Sequence, residues 1–307
     1  MVASMDSELM MFYNVENFYP PKQDSADLSS FGLYNWDEYK YCQKIRKISN
    51  VFRYIEEDYG QLPSIIGLAE IGAKSVLEDL TDENSPIPNY EIIYQQSQDS
   101  RGLSVALLFD KRKYTLVESQ MLQFHSDESL VFDTRDILHA KLLMDGKRLH
   151  IFVLHLPSKR NRDIKKEQRD YILEKLHETV QCLLEKKEAV VVMGDFNDNP
   201  DAEAIQQLCF DRNQKAILTN PFEALYEKQQ FTTYHGKKGV CFDQILWTED
   251  YLKTTFNFQT ITAEIYTNPR LRNKSRKNDH FPLRTYSGSR YVGGWSDHFP
   301  VIIKLEK

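Results

Sequence analysis

The sequence predicts a mixed α/β fold in which two β-sheets pack on each other and helices cover their outer faces. Short apolar runs, typical of buried strands, alternate with amphipathic stretches along the whole chain. Asp145-Gly146, between two apolar runs, predicts an antiparallel hairpin, so a strictly repeated β-α-β order does not fit. Neither a linker nor an internal repeat divides the 307 residues, which favours one domain spanning residues 1–307.

Eight apolar runs are predicted to form strands, and two longer stretches are predicted to form helices. The strands fall at residues 9–13, 65–69, 103–109, 137–144, 149–154, 189–193, 242–247 and 299–305. In the first helix, at residues 36–59, one stripe holds Cys42, Ile45, Ser49, Phe52 and Ile55, and Gly60 is placed to end the helix. The second helix, at residues 163–187, is strongly charged.

Composition excludes several classes of protein. A hydrophobic share of 41% and a charged share of 27% exclude disordered and fibrous chains. No apolar run approaches the ~20 residues needed to cross a bilayer, and no basic start followed by an apolar stretch marks a secretory signal. We therefore expect a cytoplasmic monomer without a membrane span. Its four cysteines show neither close pairing nor metal-ligand spacing, so we expect buried free thiols: Cys42, Cys182, Cys209 and Cys241.

Polar side chains gather where the predicted strands end. Taken singly, each of these residues fits an ordinary turn or a solvated strand end. Taken together, carboxylates and an amide that meet at one edge of a sheet need a compensating cation. Five strands are predicted to end in such residues and a sixth carries one near its start; they are Asn14-Val15-Glu16, Glu70, His155, Asp195-Phe196-Asn197, Asp297-His298 and, for the sixth, Asp243.

The residue types in this set indicate metal-assisted hydrolysis. Hard oxygen ligands suit Mg²⁺ or Mn²⁺ better than zinc. His155 and His298 could transfer protons near neutral pH, and His298 has Asp297 beside it as a carboxylate partner. Because no cysteine or serine nucleophile is evident, the pattern predicts attack by an activated water.

The same motifs resemble, in order, those of the endonuclease/exonuclease/phosphatase superfamily, the deoxyribonuclease-I-like enzymes, and in particular bacterial members with a histidine-bearing active site. The superfamily includes pancreatic deoxyribonuclease, abasic-site endonucleases, neutral sphingomyelinases and inositol polyphosphate 5-phosphatases. The resemblance covers about residues 9–305. The motifs are Asn14-Val15-Glu16-Asn17, Leu68-Ala69-Glu70, His155-Leu156-Pro157-Ser158, Gly194-Asp195-Phe196-Asn197, Phe242-Asp243-Gln244-Ile245 and Ser296-Asp297-His298-Phe299-Pro300.

The resemblance implies a four-layered α/β/β/α sandwich, with two packed mixed sheets flanked by helices and the site at one edge of the sheets. It also implies Mg²⁺-dependent cleavage of a phosphate ester by in-line attack of water, with Mn²⁺ as an alternative metal. Carried over motif by motif, Glu70 would be the principal metal ligand, helped by Asn14 and Asp297.

The resemblance further implies catalytic roles for five residues. Asp195 would orient and deprotonate the attacking water, while Asn197 holds that water and a phosphate oxygen. His298 would stabilise the phosphoryl oxygens or relay a proton, and Asp243 would fix its tautomer and charge. His155 would contact the scissile phosphate or protonate the leaving group.

The substrate is less constrained. Arg135 resembles an arginine that the nuclease branch uses on a phosphate, although a surface salt bridge fits it equally well. His155 stands where abasic-site endonucleases have a tyrosine, which disfavours repair of abasic DNA. We expect a nuclease. A phosphomonoesterase, a lipid or inositol-phosphate phosphodiesterase and, more distantly, a non-catalytic module that binds anionic ligands remain alternatives.

The net charge of −6 hides two basic segments next to the predicted site. Residues 270–290 hold seven Lys and Arg against one acid, and residues 159–169 hold six against two acids. The first segment could gather phosphates, with Tyr286 and Tyr291 stacking on a base or sugar. An ordinary charged helix face explains the second segment at least as well. The negative chain therefore remains compatible with a phosphate-ester substrate such as a nucleic acid.

Overall fold

The computed structural model describes residues 7–21, 28–97, 100–126, 130–131, 137–159, 163–275 and 279–307. The predicted phosphate-binding residue Arg135 lies outside these segments. So do residues 160–162 and 276–278, which belong to the two basic segments.

The strands occupy most of the predicted positions, and several more lie between them. In chain order they are β1 (Ser7–Phe18), β2 (Ile65–Ile71), β3 (Tyr90–Tyr94), β4 (Ser104–Asp110), β5 (Tyr114–Leu122), β6 (His125–Ser126), β7 (Leu130–Val131), β8 (Ile137–Met144), β9 (Lys147–His155), β10 (Ala189–Asp195), β11 (Thr233–His235), β12 (Lys238–Val240), β13 (Asp243–Trp247), β14 (Thr260–Ile265), β15 (Tyr286–Ser287), β16 (Arg290–Tyr291) and β17 (Val301–Glu306).

Helices connect these strands. They are α1 (Glu38–Tyr59), α2 (Lys74–Leu80), α3 (Lys166–Glu185), α4 (Glu203–Cys209), α5 (Phe222–Glu227) and α6 (Glu249–Phe256), with 3-10 turns at Leu28–Phe31 and Pro269–Leu271. None of the helices within the described segments is long and apolar enough to cross a membrane.

Two mixed sheets form the centre of the fold. The first has the order β14-β17-β1-β2-β4-β3, and the second has the order β13-β10-β9-β8-β5. In the first sheet β1 runs parallel to β2 and antiparallel to β17. In the second, β10 runs parallel to β9 and antiparallel to β13. Each sheet therefore brings the carboxyl ends of two parallel strands and the amino end of an antiparallel neighbour to one edge.

The alternation of side chains along β10 places the second sheet between two apolar layers. Val191 and Met193 belong to the main core cluster, to which both sheets contribute. Val190 and Val192, pointing the other way, belong to the cluster that includes Leu176 of α3. Because α1 likewise packs its apolar stripe on the main core, the predicted sandwich of two sheets flanked by helices is confirmed.

The predicted hairpin is also confirmed. β8 and β9 pair antiparallel up to Met144 and Lys147, and both turn residues have left-handed backbone, with φ of 52° at Asp145 and 74° at Gly146. Glycine adopts this conformation without the steric penalty that a Cβ brings, which is why the pair marks a tight turn.

One predicted position is wrong. Asp297 and His298 do not end a strand, since β17 begins only at Val301. They precede its amino end, and because β17 runs antiparallel to β1, that end meets the carboxyl end of β1. Asp297 and His298 therefore lie at the expected edge of the sheet, but at the amino end of a strand and not at its carboxyl end.

Helix α1 ends as predicted, with Gly60 in left-handed conformation at φ of 73°. Its buried stripe differs from the prediction, because Cys42 is exposed and Lys44 is buried. The expectation of buried thiols holds for Cys209 and Cys241 but is wrong for Cys42 and Cys182, which lie on the exposed sides of their helices.

Candidate active site

The second sheet places three predicted site residues side by side. Asp195, the last residue of β10, is in register with His155 on β9 and with Asp243 on β13. Gly194 permits the close approach of the strands, since a Cβ at this position would lie 2.3 Å from the carbonyl oxygen of Leu154. Regular strand pairing thus holds an imidazole and two carboxylates at one edge.

The first sheet reaches the same edge with irregular backbone. The pairing of β1 and β2 shifts register after Asn14 and before Phe18. Three residues here adopt left-handed backbone, with φ of 55° at Glu16, 45° at Asn17 and 67° at Glu70. This conformation is unusual for residues other than glycine and persists where surrounding contacts enforce it.

Side chains satisfy the backbone groups that this irregularity frees. The Asn17 N–H donates to Glu70 Oε2 at 2.6 Å, and the Glu16 N–H donates to Asn14 Oδ1 at 3.1 Å. The Ser296 hydroxyl donates to the Asn14 carbonyl oxygen at 2.6 Å, which ties the segment before β17 to β1. The site residues of the first sheet therefore hold one another in place.

Asp195 lies at the centre of the assembled cluster. Its Oδ2 accepts a hydrogen bond from Asn14 Nδ2 at 3.0 Å, and it lies 3.5 Å from His155 Nε2 and 4.0 Å from His298 Nε2. His298 Nδ1 lies 2.7 Å from Asp243 Oδ2. Only 2% of Asp195 and none of Asp243 is exposed, so these charges interact with little screening by water.

The environment gives the two histidines opposite charge preferences. Burial alone would lower the pKa of His298, but the charge and hydrogen bond of Asp243, with Asp195 and Asp297, raise that pKa well above its usual range. Burial lowers the pKa of His155 well below its usual range, and Arg101 and His298 add to this effect. Burial and the charge of Asp243 raise the pKa of Asp195 to about 7.

Comparison with known proteins identifies the family of the chain. The sequence model of the Endonuclease/Exonuclease/phosphatase family matches residues 9–307. The chain belongs to this family. Its members are generally phosphoester hydrolases, so family membership supports a phosphoester hydrolase here.

Solved structures of other family proteins share the fold. A humanized D. rerio TDP2 carrying 14 mutations is 15% identical, with 98% of this chain and 99% of that chain covered and a TM-score of 0.58. The human Nocturnin catalytic domain with bound sulfate is 16% identical, with 98% and 93% covered and a TM-score of 0.61. A family protein from Bacteroides thetaiotaomicron is 18% identical, with 97% of both chains covered and a TM-score of 0.61. No curated protein sequence matches the chain.

Two sets of side chains at this site offer atoms that could bind a metal ion. Asp195, Asp243 and His298 offer ligand atoms that all lie within 4.8 Å of one another. However, Nδ1 of His298 is hydrogen-bonded to Asp243, and the raised pKa of His298 favours the protonated ring. A protonated imidazole donates hydrogen bonds from both nitrogens and does not bind a metal.

The predicted oxygen ligands are Asn14, Glu70 and Asp297. Asn14 contacts Asp195, and it pairs in register with Ala69, the neighbour of Glu70. Glu70 is partly exposed, and Asp297 Oδ2 accepts from Arg284 Nη2 at 2.7 Å. Amide and carboxylate oxygens at one partly open edge fit a hard divalent cation.

A buried charge cluster beside the site was not predicted from the sequence. Glu16 accepts a hydrogen bond from the Thr285 N–H at 2.6 Å, and burial and the charge of Asp297 raise its pKa to about 7. Lys44 donates from Nζ to Thr285 Oγ1 at 2.6 Å and to the Trp295 carbonyl oxygen at 2.5 Å. Burial lowers the pKa of this lysine to about 8. Its position on the apolar stripe of α1, one turn before Ile48, was the available signal.

Among the described cations of the basic segment at residues 270–290, Arg284 is the one that contacts a predicted site residue. Arg284 contacts Asp297, whereas Arg270 pairs with Glu57 on α1. The predicted stacking role of Tyr286 is wrong, because its ring is buried against other aromatic rings and its hydroxyl donates to the Tyr34 carbonyl oxygen.

In the described part of the other basic segment, Lys159 and Arg169 pair within the molecule. Arg169 is 1% exposed, pairs with Asp163 and donates to the Pro157 carbonyl oxygen. Lys159 pairs with Asp198. These cations stabilise the loop after β9, and the burial of Arg169 differs from the solvated helix face that the sequence suggested.

Proposed function

We propose that the protein is a metal-dependent phosphodiesterase that cleaves a nucleic acid by attack of an activated water. The observation that carries the proposal is Asp195, buried between two histidines of opposite charge preference. His298 Nε2 lies 4.0 Å and His155 Nε2 3.5 Å from its carboxylate. This set combines a base, a cation and a neutral hydrogen-bonding group around one point.

Asp195 acts as the general base in this proposal. A pKa of about 7 lets a carboxylate accept a proton from water near neutral pH, where a carboxylate with an ordinary pKa is a weaker base. The Asn197 N–H donates to Oδ1 at 2.9 Å and Asn14 Nδ2 donates to Oδ2 at 3.0 Å, which fixes the plane of the carboxylate. Asn197 Nδ2 donates to the Leu156 carbonyl oxygen at 2.8 Å, so the amide oxygen is the end that would hold the water.

His298 supplies positive charge to the phosphoryl oxygens. Asp243 fixes Nδ1, so the Nε2–H is directed away from Asp243 and towards the side of Asp195. A charged donor held in place before the reaction stabilises negative charge that develops in the transition state.

His155 contacts the phosphate as a neutral ring. Two roles were predicted for this residue: protonation of the leaving group and contact with the scissile phosphate. Its low pKa disfavours the imidazolium that protonation requires, so contact with the phosphate is the favoured role. His155 Nδ1 and Asp243 Oδ1 are buried and have no hydrogen-bond partner among the described residues. Polar atoms in this state are expected to bind water or a ligand.

Glu70, with Asn14 and Asp297, would hold the divalent cation, Mg²⁺ or Mn²⁺. When bound, the cation supplies charge that neutralises the phosphoryl group and the departing oxygen. The partial exposure of Glu70 and its enforced left-handed backbone support this assignment, since strained residues concentrate at functional sites.

Two observations favour a nucleic acid as the substrate. Arg284 brings a partly exposed cation from the basic segment to the site. A solved structure of D. rerio TDP2, which has the same fold, is a complex with a single-strand DNA product.

The proposal is tested by hydrolysis with Mg²⁺ or Mn²⁺ of plasmid DNA, RNA, sphingomyelin, inositol phosphates and cyclic dinucleotides. We expect cleavage of DNA or RNA that stops when EDTA removes the metal. The Asp195→Asn variant should lose ~10² or more of this activity, because it cannot accept the proton. Asp201→Asn, an exposed acid in the loop after β10, is the matched control and should keep full activity.

Two results would contradict this assignment. Near-normal activity of Asp195→Asn would show that Asp195 is not the general base. Release of inorganic phosphate from inositol phosphates, with plasmid DNA left intact, would instead support a phosphomonoesterase on the same scaffold.

A further inference from the structure

Two cationic side chains approach the same pair of carboxylates from different sides. Lys44 and Arg284 both stabilise the charges of Glu16 and Asp297. Lys44 is 2% exposed and its ammonium is bound to Thr285 and Trp295, so it has no route to a ligand. The side chain of Arg284 is 50% exposed. Lys44 therefore stabilises the fold, and Arg284 is accessible to a substrate.

Arg284 has hydrogen-bond donors left for a ligand. Its Nη2 donates to Asp297 Oδ2 at 2.7 Å, and its Nε lies at 3.5 Å from Glu16 Oε1. A guanidinium carries five N–H donors in a planar fork, and the two contacts just described use two of them on a side chain that is half exposed. Such a fork matches the oxygens of a phosphate better than an ammonium does.

Asp297 separates Arg284 from the proposed reaction centre. Its Oδ2 contacts Arg284, while its Oδ1 lies 4.0 Å from His298 Nε2 on the other side. A phosphate held by His298 and His155 at Asp195 therefore has the Asp297 carboxylate between it and Arg284, and the charge of this carboxylate repels the oxygens of that phosphate. The group that Arg284 can bind is a different phosphate of the same substrate.

We infer that Arg284 binds a non-scissile phosphate next to the phosphate that is cleaved. The substrate class is then a phosphodiester that carries a neighbouring phosphate group, as a nucleic acid strand does, and not an isolated diester. This inference rests on the proposed function and narrows its substrate.

The test compares three dinucleotides that differ by one terminal phosphate: TpT, pTpT and TpTp. For the unaltered protein, we expect kcat/KM to be ~10-fold or more higher for at least one phosphorylated dinucleotide than for TpT, as one charge-assisted contact implies. In Arg284→Gln this ratio should fall close to one, and Arg284→Lys should keep part of it. Arg290→Gln, which removes an exposed charge from the same segment, should keep the whole ratio.

A binding measurement without metal or turnover gives a second readout. By calorimetry, thymidine 3′,5′-bisphosphate should bind the unaltered protein ~10-fold tighter than the weaker-binding of the two thymidine monophosphates, 3′ and 5′. Arg284→Gln should bring these dissociation constants together. Circular dichroism and urea unfolding show whether each variant is folded.

Three results would overturn the inference. They are an unchanged ratio in Arg284→Gln, an equal loss on TpT and on the phosphorylated dinucleotides, and no advantage of a terminal phosphate in the unaltered protein. Failure of the proposed function would give a different result. Asp195→Asn would then cleave TpT as well as the unaltered protein does, and this result does not depend on the Arg284 variants.

Discussion

The second sheet delivers its site residues from strands that stay in register, whereas the first sheet delivers its own from backbone that leaves the register. His155, Asp195 and Asp243 face one another through ordinary strand pairing. Glu16 and Glu70 depend on left-handed residues. Proton transfer requires fixed distances between a base and its partners, which regular strands provide. In the proposed function the first sheet instead supplies oxygen donors of a metal site, one of them, Glu70, from left-handed backbone.

The largest expected effect comes from altering the regular half of the site. Asp243→Asn removes the charge that raises the pKa of both His298 and Asp195, so both values should fall. The proposed mechanism requires ionised Asp195 and protonated His298, and the active pH range should therefore move to lower pH. At pH 7.5 we expect kcat to drop ~10²-fold, measured as a pH–rate profile.

The control for this change is Asp250→Asn, which removes an exposed acid on α6. It should leave the pH profile unchanged. A profile of Asp243→Asn with the unaltered midpoints and full activity would show that Asp243 does not set the charge of His298.

The next effect tests whether the irregular half depends on its buried cation. Lys44→Met leaves Glu16 and Asp297 without the inner ammonium, and removing one partner of a buried charge cluster costs about 3 kcal/mol. We expect this loss in the free energy of unfolding, measured in urea. Lys47→Met, a partly exposed neighbour whose ammonium lies over the Trp295 ring, should cost less than 1 kcal/mol.

If Lys44→Met were as stable as the unaltered protein, the irregular backbone would hold itself without the cation. Lys44→Arg, which keeps the charge, separates loss of charge from loss of packing. A smaller cost for Lys44→Arg than for Lys44→Met would assign the effect to charge.

The smallest effect concerns the second sheet away from the site. His139 Nε2 lies 2.9 Å from His150 Nδ1, and burial lowers the pKa of each to about 4. Because these values lie below the unfolded value of about 6.5, the stabilisation is complete above pH 6.5 and is lost as pH falls towards 4. We expect a loss of roughly 1 kcal/mol in the free energy of unfolding for the two histidines together between pH 7 and pH 6, measured by urea unfolding.

His150→Gln should reduce that decline, because a glutamine does not titrate in this range. An equally steep decline in the variant would place the acid sensitivity on other groups, such as the carboxylates that lose their charge in the same range.

The fold and much of the site composition were predictable from the sequence. The apolar runs located the inner strands of both sheets and the edge strand β13, because strands buried on both faces keep little polar content. The other edge strands, β3, β5 and β14, contain exposed residues, lack that signal and were not predicted. An apolar run in the sequence indicates a strand that is buried on both faces. These three edge strands are less buried than the inner strands, so their sequences lack such a run.

Contacts between distant residues explain most of what sequence could not show. Lys44 and Thr285 lie 241 positions apart, so nothing local indicates that the lysine caps a loop beside the site. The burial of Tyr286 depends on Tyr34 and Trp36, which another part of the chain supplies. Composition of the segment correctly indicated positive charge, yet only the fold determines that Arg284 reaches Asp297 and Arg270 reaches Glu57.

The position of β17 has a consequence for local unfolding of the protein. This strand inserts between β1 and β14 in the first sheet. Asp297 and His298 reach the edge of the sheet only when β17 is in place. Detachment of β17 would therefore separate His298 from Asp243 while the strands of the second sheet stay paired, so the proposed site depends on this one strand.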